Sequence, residues 1–299
     1  MKKRILITGA TGMFGATLSK YFQDNFEVFA TGTKDLNFDG IKNFMAFDLS
    51  SSDYSKLIEW SKPDTIIHAA ALTNGNYCEQ NPEQAFAING ISLQKFCKAI
   101  PEQTQLIYIS TDAVFSNDKH LANETDCVHP ESVYGKAKEL GEFFLRHSNC
   151  DYTIVRTTIV GKNLNKNKQG FVEWIVNSSS AGSEISLFDD VLFTPISIWN
   201  LAEHLEYIIN NPTAFSRKTF HVAGREICTK YQFGITLLKS LNLPTGLVKR
   251  GKITDFEDRA KRSTDQTLDC KRFEEVSQRQ LPTLKQTIQE LKDHYDEAN

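Results

Sequence analysis

The chain has 299 residues, of which 40% are hydrophobic and 24% charged, and its 34 Lys plus Arg face 37 Asp plus Glu for a formal net charge of -3. That length accommodates one large core or two smaller ones, and two lobes are the natural expectation. An even balance of charge along the chain argues against a nucleic-acid partner or an anionic membrane surface, both of which call for a concentrated basic face.

In chain order, Met1 to Thr8 carry three basic residues and then only Ile5-Leu6-Ile7, too short an apolar stretch for a secretory leader. No later segment reaches the length of a membrane span. Short runs rich in β-branched and aromatic residues predict strands at about Arg4 to Thr8, Glu27 to Thr31, Phe44 to Asp48, Thr65 to Ala69, Gln105 to Ser110 and Thr153 to Arg156. Stretches of helical period fill the gaps; Pro82 is placed to open one helix, and another is predicted from about Val133 to His147. Such alternation predicts an α/β chain with a parallel sheet. After Gly161 the rhythm loosens. Lys162 to Gln169 reads as a polar loop or lid, and helices resume near Phe171 to Asn177, Ile198 to Asn210, Lys230 to Leu241 and Thr283 to His294, with few strands among them. The expected division is a first domain over 1–160 and a smaller, mostly C-terminal substrate lobe over 161–299, some of whose segments return to the first.

The first strand runs directly into Gly9-Ala10-Thr11-Gly12-Met13-Phe14-Gly15, and helical periodicity follows from Ala16 to Phe22. Glycines there permit a tight turn and a close backbone approach to a pyrophosphate, while the helix N-terminus favours negative charge. The spacing is Gly-x-x-Gly-x-x-Gly, not the commoner Gly-x-Gly-x-x-Gly. Three glycines at period three after an N-terminal strand exceed what a ligand-free turn needs, so the first domain is expected to be a Rossmann-type, doubly wound sheet that holds a nicotinamide dinucleotide. The second strand ends Ala30-Thr31-Gly32-Thr33-Lys34, without the carboxylate that would bind the ribose of NAD. Thr33 and Lys34 either meet a 2′-phosphate, favouring NADP(H) over NAD(H), or form a solvated turn.

Tyr134-Gly135-Lys136-Ala137-Lys138 places a phenol and an ammonium one helical turn apart on one face. A fixed cation lowers a phenol's pKa from its usual value of about 10 towards the range useful for proton transfer. The pair alone is common on surface helices. It gains weight from Ile107-Tyr108-Ile109-Ser110-Thr111-Asp112, an apolar strand ending in two hydroxyls where open α/β sheets bind their ligands. A turn-capping role for Ser110 and Thr111 is the plainer alternative.

Together these residues resemble the short-chain dehydrogenase/reductase superfamily and, more narrowly, the dTDP-4-dehydrorhamnose reductase family. The resemblance rests on the glycine turn, His68-Ala69-Ala70-Ala71-Leu72-Thr73, Glu79-Gln80-Asn81-Pro82-Glu83 with Asn89, Ser110-Thr111-Asp112-Ala113-Val114-Phe115, and Tyr134 with Lys138. It continues through Arg156-Thr157-Thr158, Thr194-Pro195-Ile196 and Leu268-Asp269-x-x-x-Phe273. By this resemblance Gly9, Gly12, Met13, Phe14 and Gly15 should cradle the pyrophosphate, Thr31 should lie near the adenosine ribose, and Asp48 with Leu49 should bracket the adenine. Ala69, Ala70 and Ala71 should line the cofactor. Thr111, Tyr134 and Lys138 would be the catalytic set, with Lys138 also on the nicotinamide ribose and Asp112 beside the sugar, near Thr73. Two positions depart from the family: its Asp after the second strand is Thr31 here, and its sugar-contacting Trp is Ile159.

The resemblance implies reduction of a keto group on a nucleotide-linked deoxysugar. A 4,6-dehydratase of the superfamily would need Asp-Glu after the catalytic Thr, whereas Asp112 is followed by Ala113. A 4-epimerase uses the same Tyr and Lys, and a non-catalytic NAD(P)-binding subunit, like the regulatory β subunit of methionine adenosyltransferase, keeps the fold; both stay open. Arg259-Ala260-Lys261-Arg262 either contacts a substrate diphosphate or is a solvated face. His204 and His221 read as packing and strand residues. The six cysteines (Cys78, Cys97, Cys127, Cys150, Cys228, Cys270) show no metal-ligand spacing, so no metal is expected and a cytoplasmic home is. A homodimer is consistent with such an enzyme.

Overall fold

The structure, a computed structural model, describes residues 2–33, 41–50, 53–255 and 260–296. Six strands lie close to their predicted places: β1 (Arg4–Thr8), β2 (Glu27–Gly32), β3 (Asn43–Ala46), β4 (Thr65–His68), β5 (Gln105–Thr111) and β6 (Asp151–Thr157). A seventh, β7 (Lys218–His221), returns from the second half of the chain. They form one parallel sheet in the order β3-β2-β1-β4-β5-β6-β7. The order reverses between β1 and β4, and the crevice outside the carboxyl ends at such a switch point is where doubly wound sheets bind ligands.

Both faces of the sheet are covered, so its inner strands are buried along almost their whole length. In β1 the alternation of a strand sends Ile5 and Ile7 into one core and Leu6 into the other. The first core holds the helices Met13–Phe22 and Ile198–Asn210 against the sheet through Leu18, Phe22, Leu201, Leu205 and Ile208. The second holds Tyr54–Ser61 and Ser92–Ala99 through Leu57, Leu93 and Phe96. Each such side chain contributes about 1.5–3 kcal/mol on full burial.

A third core, around Val172, Ile175, Leu187, Phe193, Phe233, Leu237 and Ile288, belongs to the helices Phe171–Ser180, Lys230–Ser240 and Leu284–Asp296. The second half contains more strands than its sequence predicts: besides β7, Ile185–Phe188 pairs with Val248–Gly251, Ile159–Val160 with Ile196–Ser197, and Leu192–Phe193 with both Cys228–Thr229 and Asp265–Gln266. Two to four residues are too few to establish a period of two, so pattern alone misses them. No helix of the described residues is long and apolar enough to cross a membrane.

Candidate active site

The carboxyl ends of the sheet and the third core enclose a cleft of about 980 Å³. Its walls gather every sequence-predicted site residue that the structure describes: Gly9, Gly12, Met13, Phe14, Gly15, Thr31, Thr33, Asp48, Leu49, Ala69, Ala70, Ala71, Thr73, Thr111, Asp112, Tyr134, Lys138 and Ile159. Lys34 and Arg259 lie outside the described residues.

At the switch point Gly9 takes φ +75°, and a Cβ there would lie 2.7 Å from Ala70 Cα. Only glycine brings β1 this close to the end of β4 without strain. Gly12 N donates to Gly9 O at 2.8 Å and closes the turn. Gly12 is then the N-cap of Met13–Phe22 with no side chain capping it and no acidic residue in the first turn. The first amides of that helix face the cleft, a polar lining suited to an anion. From across the cleft Lys168, in the polar loop after Gly161, donates from Nζ to Thr11 O at 2.7 Å. That loop is anchored at its base by Glu173, which accepts from Asn163 N and Gly170 N.

The end of β4 is fixed by neutral polar groups. Burial, aided by the charge of Lys138, pushes the His68 pKa down to about 3, so its ring pairs uncharged with Thr8 Oγ1 at 2.9 Å and Ser92 Oγ at 3.3 Å. Asn89 grips Leu72 at both N and O, which holds the segment Ala69 to Thr73 along the cleft. Thr31, expected at the adenosine ribose, is 1% exposed and donates to Met45 O at 2.7 Å, so its hydroxyl serves the sheet while its edge lines the cleft.

β5 delivers Thr111, whose Oγ1 caps the following turn by accepting from Ala113 N and donates to Asp112 Oδ1 at 3.0 Å. The helix Val133–Arg146 begins at the Ser132 cap and packs Gly135 so tightly on this turn that a Cβ would lie 2.2 Å from Ala113 O. That contact sets Tyr134 beside Thr111. Lys138, one turn on, is 2% exposed; its Nζ donates to Ile109 O at 2.7 Å and lies 4.0 Å from the centre of the Tyr108 ring. Burial pulls its pKa down to about 7, against the opposing charge of Glu142.

The electrostatics differ from the sequence expectation here. Burial raises the Tyr134 phenol above its ordinary value; the hydrogen bond to Thr111 and the charge of Arg262 oppose the rise, while Asp112 adds to it. Lys138 is engaged with Ile109 and Tyr108 and burial itself pulls its pKa down, so it does not lower the phenol as a permanent cation would.

Beneath the site lies a buried ionic cluster. Glu142 accepts from Ser110 at 2.6 Å, from Arg156 at 2.7 and 2.9 Å, and from Arg146 at 2.5 Å. It ties β5, β6 and the Tyr134 helix together. Removing one partner of such a pair costs about 3–5 kcal/mol, because the other charge stays buried.

Several lining residues escaped sequence reasoning. Lys230, the first residue of its helix, points back into the cleft with Nζ 3.3 Å from the centre of the Phe193 ring. Burial lowers its pKa to about 8 and raises that of Asp112 to about 6, and each group's charge opposes the other's shift. Gln266 also reaches the cleft, and so does Arg262, which the sequence offers as a contact for a substrate diphosphate. Lys261 of the same basic run lines the cleft too and is paired with Glu131 at 2.6 Å. Thr157 Oγ1, on the cleft wall, is buried and has no hydrogen-bond partner among the described residues, so a polar ligand group there would satisfy it.

A doubly wound parallel sheet, a glycine turn at its switch point and a Tyr-x-x-x-Lys helix beside a strand-end threonine define an extended short-chain dehydrogenase/reductase. Within that class the chain belongs to the family described as RmlD substrate binding domain, whose pattern matches residues 2–297. It is 29% identical to the spore coat polysaccharide biosynthesis protein SpsK of Bacillus subtilis over 82% of each chain. It is 28% identical to a dTDP-4-dehydrorhamnose reductase of Aggregatibacter actinomycetemcomitans, covering 91% of this chain and 92% of that one. Methionine adenosyltransferase 2 subunit beta of Xenopus laevis is 27% identical over 92% of this chain and 82% of its own. The crystal structure of the Bacillus anthracis dTDP-4-dehydrorhamnose reductase in complex with NADP superposes with a TM-score of 0.86 at 24% identity, over 98% of this chain and 100% of that one.

Proposed function

We propose that the chain is an NADPH-dependent reductase of a keto group on a nucleotide-linked deoxysugar, acting as the dTDP-4-dehydrorhamnose reductases do. The observation that carries this is convergence: the glycine turn, Thr111, Asp112, Tyr134 and Lys138 face one cleft, with space beyond them for a second ligand. The uncapped amides after Gly12 and the unpartnered Thr157 hydroxyl fit a dinucleotide. Absence of a carboxylate at Thr31 to Thr33 favours NADP(H), as does the NADP-bound relative.

When bound, the dihydronicotinamide supplies the hydride. Tyr134, whose phenol is held protonated by burial, gives its proton to the carbonyl oxygen of the sugar. Thr111 turns its hydroxyl from Asp112 to that oxygen, and Lys138 holds the cofactor ribose. Asp112 and Lys230 flank the sugar as acceptor and donor. Tyr134→Phe should lower turnover by about 10²–10⁴-fold, the usual size of a general-acid contribution, with NADPH affinity unchanged in a fluorescence titration. Near-normal turnover would overturn the assignment.

The likeness to methionine adenosyltransferase 2 subunit beta favours a second function, that of a non-catalytic partner subunit. Recovery of a stoichiometric enzyme partner by pull-down, with no turnover on dTDP-, UDP- or GDP-linked 4-keto sugars, would establish it instead.

A further inference from the structure

The glycine turn, Gly9 to Gly15, contains no basic residue, and the helix it opens has none before Lys20 in its last turn. It offers an anion backbone amides alone. Several cations on the cleft wall are engaged elsewhere: Lys138 with Ile109, Lys230 over Phe193 and Lys261 with Glu131. Lys168 instead reaches the turn itself, where its Nζ donates to Thr11 O at 2.7 Å from a position 157 residues further along the chain. Thr11 O is the one hydrogen-bond partner of that ammonium among the described residues, so two of its three N–H donors are uncommitted.

The loop holds Lys168 there through its own bonds. Glu173, in the first turn of the helix Phe171–Ser180, accepts from Asn163 N at 2.6 Å, from Asn163 Nδ2 at 2.8 Å and from Gly170 N at 2.5 Å, so one carboxylate clasps both ends of the loop. Between them a turn closes: Asn167 N donates to Asn165 Oδ1 and Lys168 N to Asn165 O, each at 3.0 Å. The loop also rests on the start of the glycine-turn helix, since a Cβ on Gly170 would come 3.8 Å from Met13 Sδ. An ammonium from the second half of the chain is thereby laid beside helix amides that no side chain caps.

We propose that Lys168 is the cation that binds the diphosphate of the dinucleotide, a role that rests on the cofactor assignment made above. A diphosphate settled on the amides after Gly12 turns a hydrogen bond between an ammonium and a neutral carbonyl into a charge-assisted one, and Lys168 can keep Thr11 O with one N–H while giving another to a phosphate oxygen. Such a contact is blind to the 2′-phosphate and to the nicotinamide. It adds equally to the affinity for NADPH and for NADH.

The test titrates the full chain with NADPH and NADH by fluorescence and with ADP-ribose, which keeps the diphosphate and lacks the nicotinamide, by calorimetry. Lys168 is exposed, so its substitution removes no packing. Lys168→Met should weaken all three ligands by about tenfold, the size of one charge-assisted hydrogen bond, and Lys168→Arg should recover most of the loss. Added salt should weaken NADPH binding less steeply in Lys168→Met than in the unsubstituted chain. Unchanged affinities in Lys168→Met would overturn the proposal. So would a loss confined to NADPH, which puts the ammonium on the 2′-phosphate, or a loss that spares ADP-ribose, which puts it on the nicotinamide half. Failure of the unsubstituted chain to bind any of the three would instead overturn the cofactor assignment itself.

Discussion

Along the half of the cleft proposed for the cofactor the lining is mostly main chain: the glycine turn, the uncapped amides after Gly12, and the alanines at Ala69 to Ala71 held by Thr8, His68 and Asn89. Along the half proposed for the substrate it is side chains drawn from distant segments of the chain, with Asp112 and Tyr134 lining the cleft together with Phe193, Lys230 and Arg262. A main-chain cradle tolerates no side chain where strands approach closely, so it fixes glycine and varies little in chemistry. A side-chain pocket can exchange any member, and so it is where relatives of one fold diverge in substrate.

The contrast can be broken most forcefully at Gly9. Gly9→Ala puts a Cβ 2.7 Å from Ala70 Cα at a left-handed φ of +75°, a backbone cost of about 1–2 kcal/mol before any clash. NADPH binding should weaken by on the order of 100-fold, an estimate that adds the displaced turn to that strain, and the melting temperature should drop. Unchanged binding by calorimetry would show that the cofactor half does not depend on close main-chain approach.

At Lys230 the expected effect is smaller and one-sided. Lys230→Met should raise the KM for the keto-sugar by roughly 10-fold, the equivalent of one charge-assisted hydrogen bond, while NADPH affinity stays the same. Equal losses on both ligands would mean that the two halves are not separable.

Acidity gives the finest discrimination. Lys138 has a folded-state pKa lowered to about 7 by burial, so between about 7 and the unfolded value of about 10.4 the unfolded chain binds more protons. This group therefore lowers stability below pH 7 and ceases to do so as pH rises through that window. NADPH affinity should move oppositely, falling by up to about 10-fold per pH unit above 7 as the ammonium is lost. Lys138→Met should abolish that slope; a slope that persists in the variant assigns the titration to another group.

Much of this was legible in the sequence where structure is local. β1 and the helix Ile198–Asn210 lie at their predicted bounds because apolar period, capping Ser197 and strand punctuation agree within a few residues. The glycine turn and the pair Tyr134 and Lys138 announce themselves by spacing, and Thr111 by its place at the end of an apolar strand; all of them line the cleft. Lys230 could not be found this way: its place in the cleft depends on short strand pairings around Phe193 and Cys228 that join distant segments. The pKa of Lys138 was also illegible, since spacing to Tyr134 says nothing of the burial that lowers it.

Counting cofactor against product tests the reductase assignment most directly. Supplied with a dTDP-linked 4-keto-6-deoxysugar, the protein should oxidise one NADPH for each sugar reduced. Conversion of the sugar without net NADPH consumption, or no reaction with any nucleotide-linked keto-sugar, would contradict it.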